Sequence, residues 1–307
     1  MNVLITGCAG FIGSHFVDEV LNKNNNVVGI DSLTYAGKLA NMSSFQDRIS
    51  FHEIDICETD RILNIVIDSD IEWIVNFAAE THVDNSIESC DEFIRTNILG
   101  VKSLLDVCRK SDCNLMQIST DEVYGTISSG SFSEEDRLNP RNPYSASKAS
   151  AEHLVNAYHV TYDVDFKIVR MSNNFGPRQD SEKFLPTIIR KLNKGEKIPV
   201  YGDGSNIRDW LYVKDACNIV YKILTDCEMN SAYNVTHRNE MTNLELVRNV
   251  TDLMSAIFEE SVEFVIDRPG HDFRYSIENK KILELEINSP SDFKECLSRT
   301  VEFYEEA

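Results

Sequence analysis

The feature that most constrains this chain is a glycine-rich turn between a short apolar run and a helical pattern near its amino end. Residues 2–6 (NVLIT) are apolar and too few for a helix, whereas Phe11 to Asn22 place apolar residues at helical spacing. Glycine is needed where such a turn is tight and where backbone approaches a pyrophosphate. The helix that follows offers free N–H groups to phosphates. The spacing G-x-x-G-x-x-G predicts a dinucleotide-binding loop made by Gly7, Gly10, Phe11, Ile12 and Gly13.

Strand and helix patterns alternate through the first half of the chain. Further strands are predicted at residues 26–31, 49–54, 71–77, 114–118 and 165–171, and further helices at residues 58–68, 91–109 and 144–161. Strands that are apolar on both faces and alternate with helices indicate a parallel sheet covered on both sides. We therefore predict a doubly wound α/β domain over residues 1–172.

Proline and glycine become denser after residue 172, and the elements become shorter. This pattern predicts a smaller, mixed α/β domain over residues 173–307, with helices at 181–193, 214–224, 242–258 and 290–304. We expect the chain to cross back to the first domain around residues 209–235. A cleft between two packed lobes is the usual place for a small-molecule site.

The charge balance and the cysteines exclude several classes of function. The 307 residues include 30 Lys and Arg against 50 Asp and Glu, a formal net charge of −20. Such a surface repels nucleic acid and anionic lipid, so neither is an expected partner. The eight cysteines are scattered without a CxxC pair, which predicts reduced thiols and no metal site. With neither a targeting signal nor a transmembrane run in sight, we expect a cytoplasmic protein.

An acidic residue ends the second predicted strand, 18 residues beyond Gly13. An acid at this position can bind the adenosine ribose hydroxyls and repels a 2′-phosphate, so Asp31 favours NAD over NADP. A turn-capping role for Asp31 remains open. Further cofactor contacts are predicted where the third and fourth strands end, at Asp55, Ile56, Phe77, Ala78 and Ala79. Tight packing would equally explain the two alanines.

Two motifs predict chemistry next to the cofactor. Tyr144 and Lys148 lie on one helix face, where the ammonium and a cationic nicotinamide would favour the phenolate. Thr120-Asp121-Glu122 leaves the fifth strand at the sheet edge that faces the ligand crevice. Two carboxylates can divide acid and base roles there. An amphipathic helix face and a polar loop are the alternative interpretations of these motifs.

These motifs together resemble the extended short-chain dehydrogenase/reductases, and within them the dTDP-glucose 4,6-dehydratase family. The segments TGCAGFIGSH, AAETHVDNSI, STDEVYG, PYSASKAS, DWLYVKD and DRPGHDFRY carry the resemblance, which extends from residue 1 to about residue 280. The triplet Thr120-Asp121-Glu122 is its most specific part, because sugar epimerases of the group usually lack both carboxylates.

The resemblance implies a mechanism, a Rossmann fold and a set of binding residues. Tyr144 takes the proton of the sugar 4-hydroxyl while hydride passes to NAD⁺, Lys148 holds the nicotinamide ribose, and Thr120 binds the sugar and the tyrosine. Glu122 then removes the C5 proton and Asp121 protonates the departing 6-hydroxyl. Hydride returns to C6. The nucleotide sugar is implied to contact Thr120, Asn173, Asn174, Lys183, Arg208, Asn239, Arg268 and His271. The helices near residues 91–109 and 144–161 imply a homodimer.

Three functions are compatible with the fold. The carboxylate pair favours an NAD-dependent nucleotide-glucose 4,6-dehydratase over an epimerase or a decarboxylase, which need no such pair. A non-catalytic dinucleotide-binding scaffold would tolerate loss of Thr120, Tyr144 or Lys148, and all three are present. The choice between dTDP-glucose and UDP-glucose stays open, as does the downstream pathway, for example rhamnose synthesis.

Overall fold

The computed structural model describes residues 1–267, 270–283, 285 and 290–306. Strands in these ranges are β1 (Asn2–Thr6), β2 (Asn26–Asp31), β3 (Ser50–Glu53), β4 (Trp73–Asn76), β5 (Asn114–Thr120), β6 (Phe166–Met171), β7 (Asn173–Phe175), β8 (Ile198–Tyr201), β9 (Ile207–Tyr212), β10 (Ser231–Val235), β11 (Glu240–Thr242) and β12 (Val262–Val265).

The α-helices are α1 (Phe11–Asn22), α2 (Thr59–Asp68), α3 (Val83–Glu88), α4 (Asp91–Phe93), α5 (Val101–Ser111), α6 (Pro143–Tyr162), α7 (Phe184–Asn193), α8 (Val213–Asp226), α9 (Asn243–Leu253), α10 (Phe258–Ser261) and α11 (Phe293–Glu306). A π-helical segment, Ile94–Gly100, joins α4 to α5. Within the described ranges, no helix is both long and apolar enough to cross a membrane.

The largest sheet has seven strands in the order β10-β6-β5-β4-β1-β2-β3, and every pairing in it is parallel. Helices α1 and α8 cover one face, and α2, α5 and α6 cover the other. Burial on both faces explains the continuous apolar runs of these strands. The predicted doubly wound α/β fold is confirmed. Because the chain leaves β1 toward β2 and later returns to β4, a crevice opens at the carboxyl ends of these strands.

Two small sheets complete the mixed α/β region. One has the order β11-β9-β7, with β11 antiparallel and β7 parallel to β9, and the other pairs β12 with β8 in parallel. Their core is shared with α7, α9 and α11. Between these elements the chain returns to the large sheet, where α8 packs beside α1 and β10 pairs with β6.

The catalytic-motif helix α6 begins where its sequence provides a cap. The side chain of Asn142 accepts a hydrogen bond from the Ser145 N–H at 2.8 Å, and Pro143 occupies the first helical position. Both choices satisfy the free N–H groups of a first helical turn. The start of α6 places Tyr144 in the first turn and Lys148 one turn later.

Candidate active site

A cleft lies at the carboxyl ends of β1, β2, β3, β4 and β5 and continues toward the segment after β6. It brings together every residue predicted to bind the cofactor or to carry the chemistry, including Thr120, and three further residues predicted to bind the substrate. These residues are Gly7, Gly10, Phe11, Ile12, Gly13, Asp31, Asp55, Ile56, Phe77, Ala78, Ala79, Thr120, Asp121, Glu122, Tyr144, Lys148, Asn173, Asn174 and Lys183.

The glycine loop is shaped by contacts that no side chain could share. Gly7 has φ +64°, and a Cβ there would lie 2.8 Å from the backbone nitrogen of Ala78. A Cβ on Gly13 would lie 2.1 Å from the carbonyl oxygen of Gly7. The loop therefore crosses β4 closely and lets α1 start directly above it. Residues 11–13 of the first turn of α1 line the cleft, where a helix N-terminus offers free N–H groups to a phosphate.

Asp31 fixes the turns beside it and also lines the cleft. Its Oδ2 accepts the Ala9 N–H at 2.9 Å and its Oδ1 accepts the Leu33 N–H at 2.8 Å, so the carboxylate fixes the two turns beside it. It also lines the cleft, where its remaining lone pairs can accept ribose hydroxyls. Gly37 comes so close that a Cβ on it would lie 2.4 Å from Oδ1.

Residues that the motifs did not reveal also line the cleft. Arg95, in the π-helical segment, donates to Asp55 Oδ2 at 2.7 Å. In the same segment, Asn97 holds the backbone of Glu80 by two hydrogen bonds and donates to the Ser147 hydroxyl at 2.8 Å. The loop after β4 is thereby tied to α6. A π-helical segment near a functional site is common, but the sequence contains no local signal for it.

Burial governs the proton affinities of Tyr144 and Lys148. Burial, followed by the negative charge of Glu122, raises the pKa of Tyr144, and a hydrogen bond with Thr120 opposes the rise. Burial lowers the pKa of Lys148 to about 8, against the opposing charge of Glu152. The Lys148 ammonium donates to the Ile118 carbonyl at 2.7 Å. The expected bias toward a phenolate is therefore absent from the described residues alone, because burial and the charge of Glu122 dominate the pKa of Tyr144.

Asp121 is a buried carboxyl that favours its protonated form. Burial raises the pKa of Asp121 well above its usual range, and the charges of Glu122 and Asp209 add to the rise. Its Oδ1 accepts the Thr120 hydroxyl at 3.2 Å. Its Oδ2 is buried and has no partner in the described part of the chain. A protonated carboxyl with one unpartnered oxygen in a cleft is suited to donate a proton to a ligand.

Glu122 differs from its neighbour because polar donors surround it. Its Oε2 lies 3.1 Å from the Ser145 hydroxyl, 3.3 Å from the Tyr275 hydroxyl and 3.4 Å from the Asn142 amide nitrogen. The two adjacent acids thus have different surroundings: Asp121 has a buried oxygen without a partner in the described residues, whereas Glu122 lies among hydrogen-bond donors.

Several polar atoms at the mouth of the cleft are buried without a partner in the described residues. They belong to the predicted residues Asn173 and Asn174 and to their neighbours Ser172 and Gln179. Since buried polar groups are normally hydrogen-bonded, this cluster is suited to a polar ligand. Lys183, which lies next to it, donates to the Thr81 carbonyl at 2.9 Å.

Three of the remaining predicted substrate residues, Arg208, Asn239 and His271, are not among the residues that line the cleft. Arg208 is buried, donates to the carbonyl oxygens of Ile207, Asp272 and Phe273, and has its guanidinium 4.3 Å from the centre of the Tyr275 ring.

Asn239 and His271 are also outside it. The Asn239 N–H donates to Oδ1 of Asp209, and the Asn239 carbonyl accepts the Trp210 N–H. His271 pairs with Asp267 at 2.6 Å. Arg268 lies outside the described residues.

Known proteins resemble this chain along its whole length. The family model described as GDP-mannose 4,6 dehydratase matches residues 4–300. The chain is 44% identical to the low-salt glycan biosynthesis protein Agl12 of Haloferax volcanii, over 99% of this chain and 98% of that protein. It is 39% identical to a dTDP-glucose 4,6-dehydratase of Neisseria gonorrhoeae, over 99% of this chain and 95% of that protein.

A solved structure also resembles this chain over its whole length. The dTDP-glucose 4,6-dehydratase DesIV of Streptomyces venezuelae, crystallised with NAD bound, has a TM-score of 0.96 at 39% identity, and the match covers 100% of this chain and 97% of that one. The chain belongs to the dTDP-glucose 4,6-dehydratase family. The resemblance to this family that the sequence motifs indicated is thereby confirmed.

Proposed function

We propose that this protein is an NAD-dependent nucleotide-glucose 4,6-dehydratase, a lyase that converts dTDP-glucose into the nucleotide 4-keto-6-deoxy sugar. The observation that carries the proposal is the meeting of Asp121 and Glu122 with Tyr144 in one cleft. An oxidoreductase needs only a hydroxyl-activating group at this place, whereas loss of water across two carbons needs an acid and a base as well.

NAD fits the residues of the cleft. The glycine loop leaves room for a pyrophosphate above the first turn of α1, Asp31 has lone pairs for a ribose, and Ala78 and Ala79 present little bulk. Bound there, NAD would accept hydride from C4 of the sugar and return it to C6.

The first proton transfer is assigned to Tyr144. Its phenol would take the proton of the 4-hydroxyl, with Thr120 holding both the sugar and the phenol. Because burial raises the pKa of Tyr144, this role needs nearby positive charge, which Lys148 and a cationic nicotinamide would supply. Lys148 would also hold the nicotinamide ribose.

The water-loss step is assigned to the carboxyl pair. Once C4 is a ketone, the C5 proton becomes acidic and Glu122 would remove it. Asp121 would give its proton to the departing 6-hydroxyl, a role that its raised pKa and unpartnered Oδ2 support.

The nucleotide diphosphate would lie against the mixed α/β region. We propose that residues 1–172 bind NAD and residues 173–307 bind the nucleotide sugar, with residues 209–235 returning to the first domain. Asn173, Asn174 and Lys183 would contact the sugar or phosphates from the cleft. Arg208, Asn239 and His271 would close over the nucleotide after a rearrangement of their present contacts, and Arg268 would join them.

Partners and location complete the proposal. Helix α6 exposes Val160 and Tyr162, and the π-helical segment exposes Ile94 and Leu99, so these helices could pair in a homodimer. The eight free cysteines fit a reducing cytoplasm. The product would feed deoxysugar synthesis, with rhamnose as one outcome.

The test is mass spectrometry of the protein incubated in deuterated water with dTDP-glucose or with UDP-glucose. Loss of one water with deuterium gained at C5 is the expected result, and the faster substrate identifies the nucleotide. A C4 epimer of unchanged mass, or loss of carbon dioxide from a uronic acid analogue, would instead establish an epimerase or a decarboxylase.

A further inference from the structure

The side chain of Glu122 accepts hydrogen bonds at one of its two carboxylate oxygens. In the described part of the chain, its hydrogen bonds all fall on Oε2, which faces Ser145, Tyr275 and Asn142. Ser145 and Asn142 belong to the start of α6, close to the catalytic helix turn. Oε1 is the oxygen left for a ligand in the cleft. A carboxylate whose one oxygen is fixed by donors presents the other in a defined direction.

Tyr275 reaches this carboxylate from a distant part of the chain. It is 3% exposed, and its ring lies under the guanidinium of Arg208 at 4.3 Å. Its hydroxyl also lies 2.8 Å from Oδ2 of Asp272, whose Oδ1 is 3.1 Å from an Arg141 nitrogen. Asp272 is thus already compensated by Arg141. The phenolic oxygen of Tyr275 thus lies between two carboxylates, 2.8 Å from Asp272 and 3.3 Å from Glu122.

We propose that Tyr275 is a positioning residue for Glu122, and that the C5 deprotonation step depends on its hydroxyl. This inference rests on the proposed role of Glu122 as the base. A general base works only within hydrogen-bond distance of the proton it removes. A small misplacement of such a group slows its step severely. The hydroxyl of Tyr275 restricts rotation of the carboxyl, whereas its ring supports Arg208, so the two parts of one side chain have separable functions.

Tyr275→Phe separates these functions because it keeps the ring and deletes the hydroxyl. One hydrogen bond to a charged acceptor is lost, so we expect kcat to fall about tenfold to a hundredfold. KM should stay near the wild-type value, because the ring under Arg208 remains. C4 oxidation precedes the affected step, so reduced nicotinamide should accumulate transiently, and deuterium uptake at C5 from the solvent should slow by the same factor as kcat.

The decisive measurement is a double-mutant cycle with Glu122→Asp, read by deuterium uptake at C5, because this variant keeps a carboxylate and therefore a measurable rate of uptake. If Tyr275 acts through Glu122, Tyr275→Phe slows uptake in the wild-type background and has little further effect in the Glu122→Asp background, where the shorter side chain withdraws the carboxylate from the hydroxyl. An equal slowing in both backgrounds would overturn the positioning role, as would a raised KM with unchanged kcat. Because the cycle compares backgrounds, a general loss of packing in Tyr275→Phe cannot imitate the expected result.

Tyr233→Phe is the matched control. It deletes another hydroxyl, which donates to the Glu228 carbonyl at 2.7 Å in β10, away from the cleft. Its kcat and C5 exchange should equal those of the wild type. If the proposed function is wrong, the wild-type protein itself would neither release water nor exchange the C5 proton. Wild-type dehydration together with an unaffected Tyr275→Phe variant would overturn the positioning role alone.

Discussion

Replacing Asp121 with asparagine should stabilise the protein against unfolding, and the gain should grow as the pH rises. In the folded protein, burial and the charges of Glu122 and Asp209 raise the pKa of Asp121 well above its usual value of 3.8. In the unfolded chain these influences disappear. Above about pH 4 the unfolded chain therefore releases a proton that the folded protein keeps.

The magnitude follows from proton linkage. When a group holds one more proton in the folded state than in the unfolded state, the free energy of unfolding falls by about 1.4 kcal/mol per pH unit. The fall ends where the pH reaches the pKa of the group in the folded protein. Asparagine does not titrate, so this loss is absent from the variant. The difference between the two proteins should therefore widen by about 1.4 kcal/mol for each pH unit between the unfolded-state and folded-state pKa of Asp121. Asparagine keeps an oxygen that can accept the Thr120 hydroxyl.

Urea unfolding followed by tryptophan fluorescence measures this difference. Trp73 in β4 and Trp210 in β9 are both buried and report on the large sheet and on a small sheet. Asp252→Asn on the exposed side of α9 is the control for the chemical change itself. A difference between wild type and Asp121→Asn that stays constant with pH would refute the reasoning, since it would mean that Asp121 ionises normally in the folded protein.

Three further substitutions test the site. Tyr144→Phe should abolish formation of reduced nicotinamide while calorimetry still detects NAD binding; turnover at the wild-type rate would exclude Tyr144 as the base. Gly13→Ala should weaken NAD binding, because the new Cβ would lie 2.1 Å from the carbonyl oxygen of Gly7 and displace the loop; unchanged affinity in calorimetry would contradict this. Arg208→Ala should raise KM for the nucleotide sugar about tenfold or more, since a charged hydrogen-bond donor is lost; initial rates that give the same KM would remove Arg208 from the diphosphate site.

The sequence predicted the elements whose signals are local and periodic. The predicted limits of β1, α1 and β2 coincide with those observed, because each has a continuous buried face bounded by glycine or polar residues. The limits of β5 were wrong at one end, since the strand continues to Thr120 rather than ending at Ile118. Helix α3 was missed, and nothing indicated that the helix predicted at residues 91–109 contains a π-helical segment. Both are short, and their conformation depends on contacts with other parts of the chain, such as those of Asn97.

The candidate site divides in the same way. Residues at strand ends could be predicted because a parallel sheet places all its carboxyl ends along one edge. The contact between Tyr275 and Glu122 could not, because the two residues are 153 positions apart and no pattern in either segment refers to the other. The proton affinity of Tyr144 was also beyond the sequence. The motif identifies its charged neighbour, but only the three-dimensional structure shows how completely the phenol is removed from water.

The return of the chain to the large sheet has a consequence for synthesis on the ribosome. Helix α8 covers apolar side chains of α1, among them Phe16 and Val20, and β10 protects the open edge of β6. Residues 1–172 emerge before either element exists. During that interval the nascent chain exposes an apolar helix face and an unpaired strand edge, both of which promote aggregation. The amino-terminal half therefore completes its fold only after residue 235 has been added, and a stalled ribosome that releases a shorter product would release one prone to self-association.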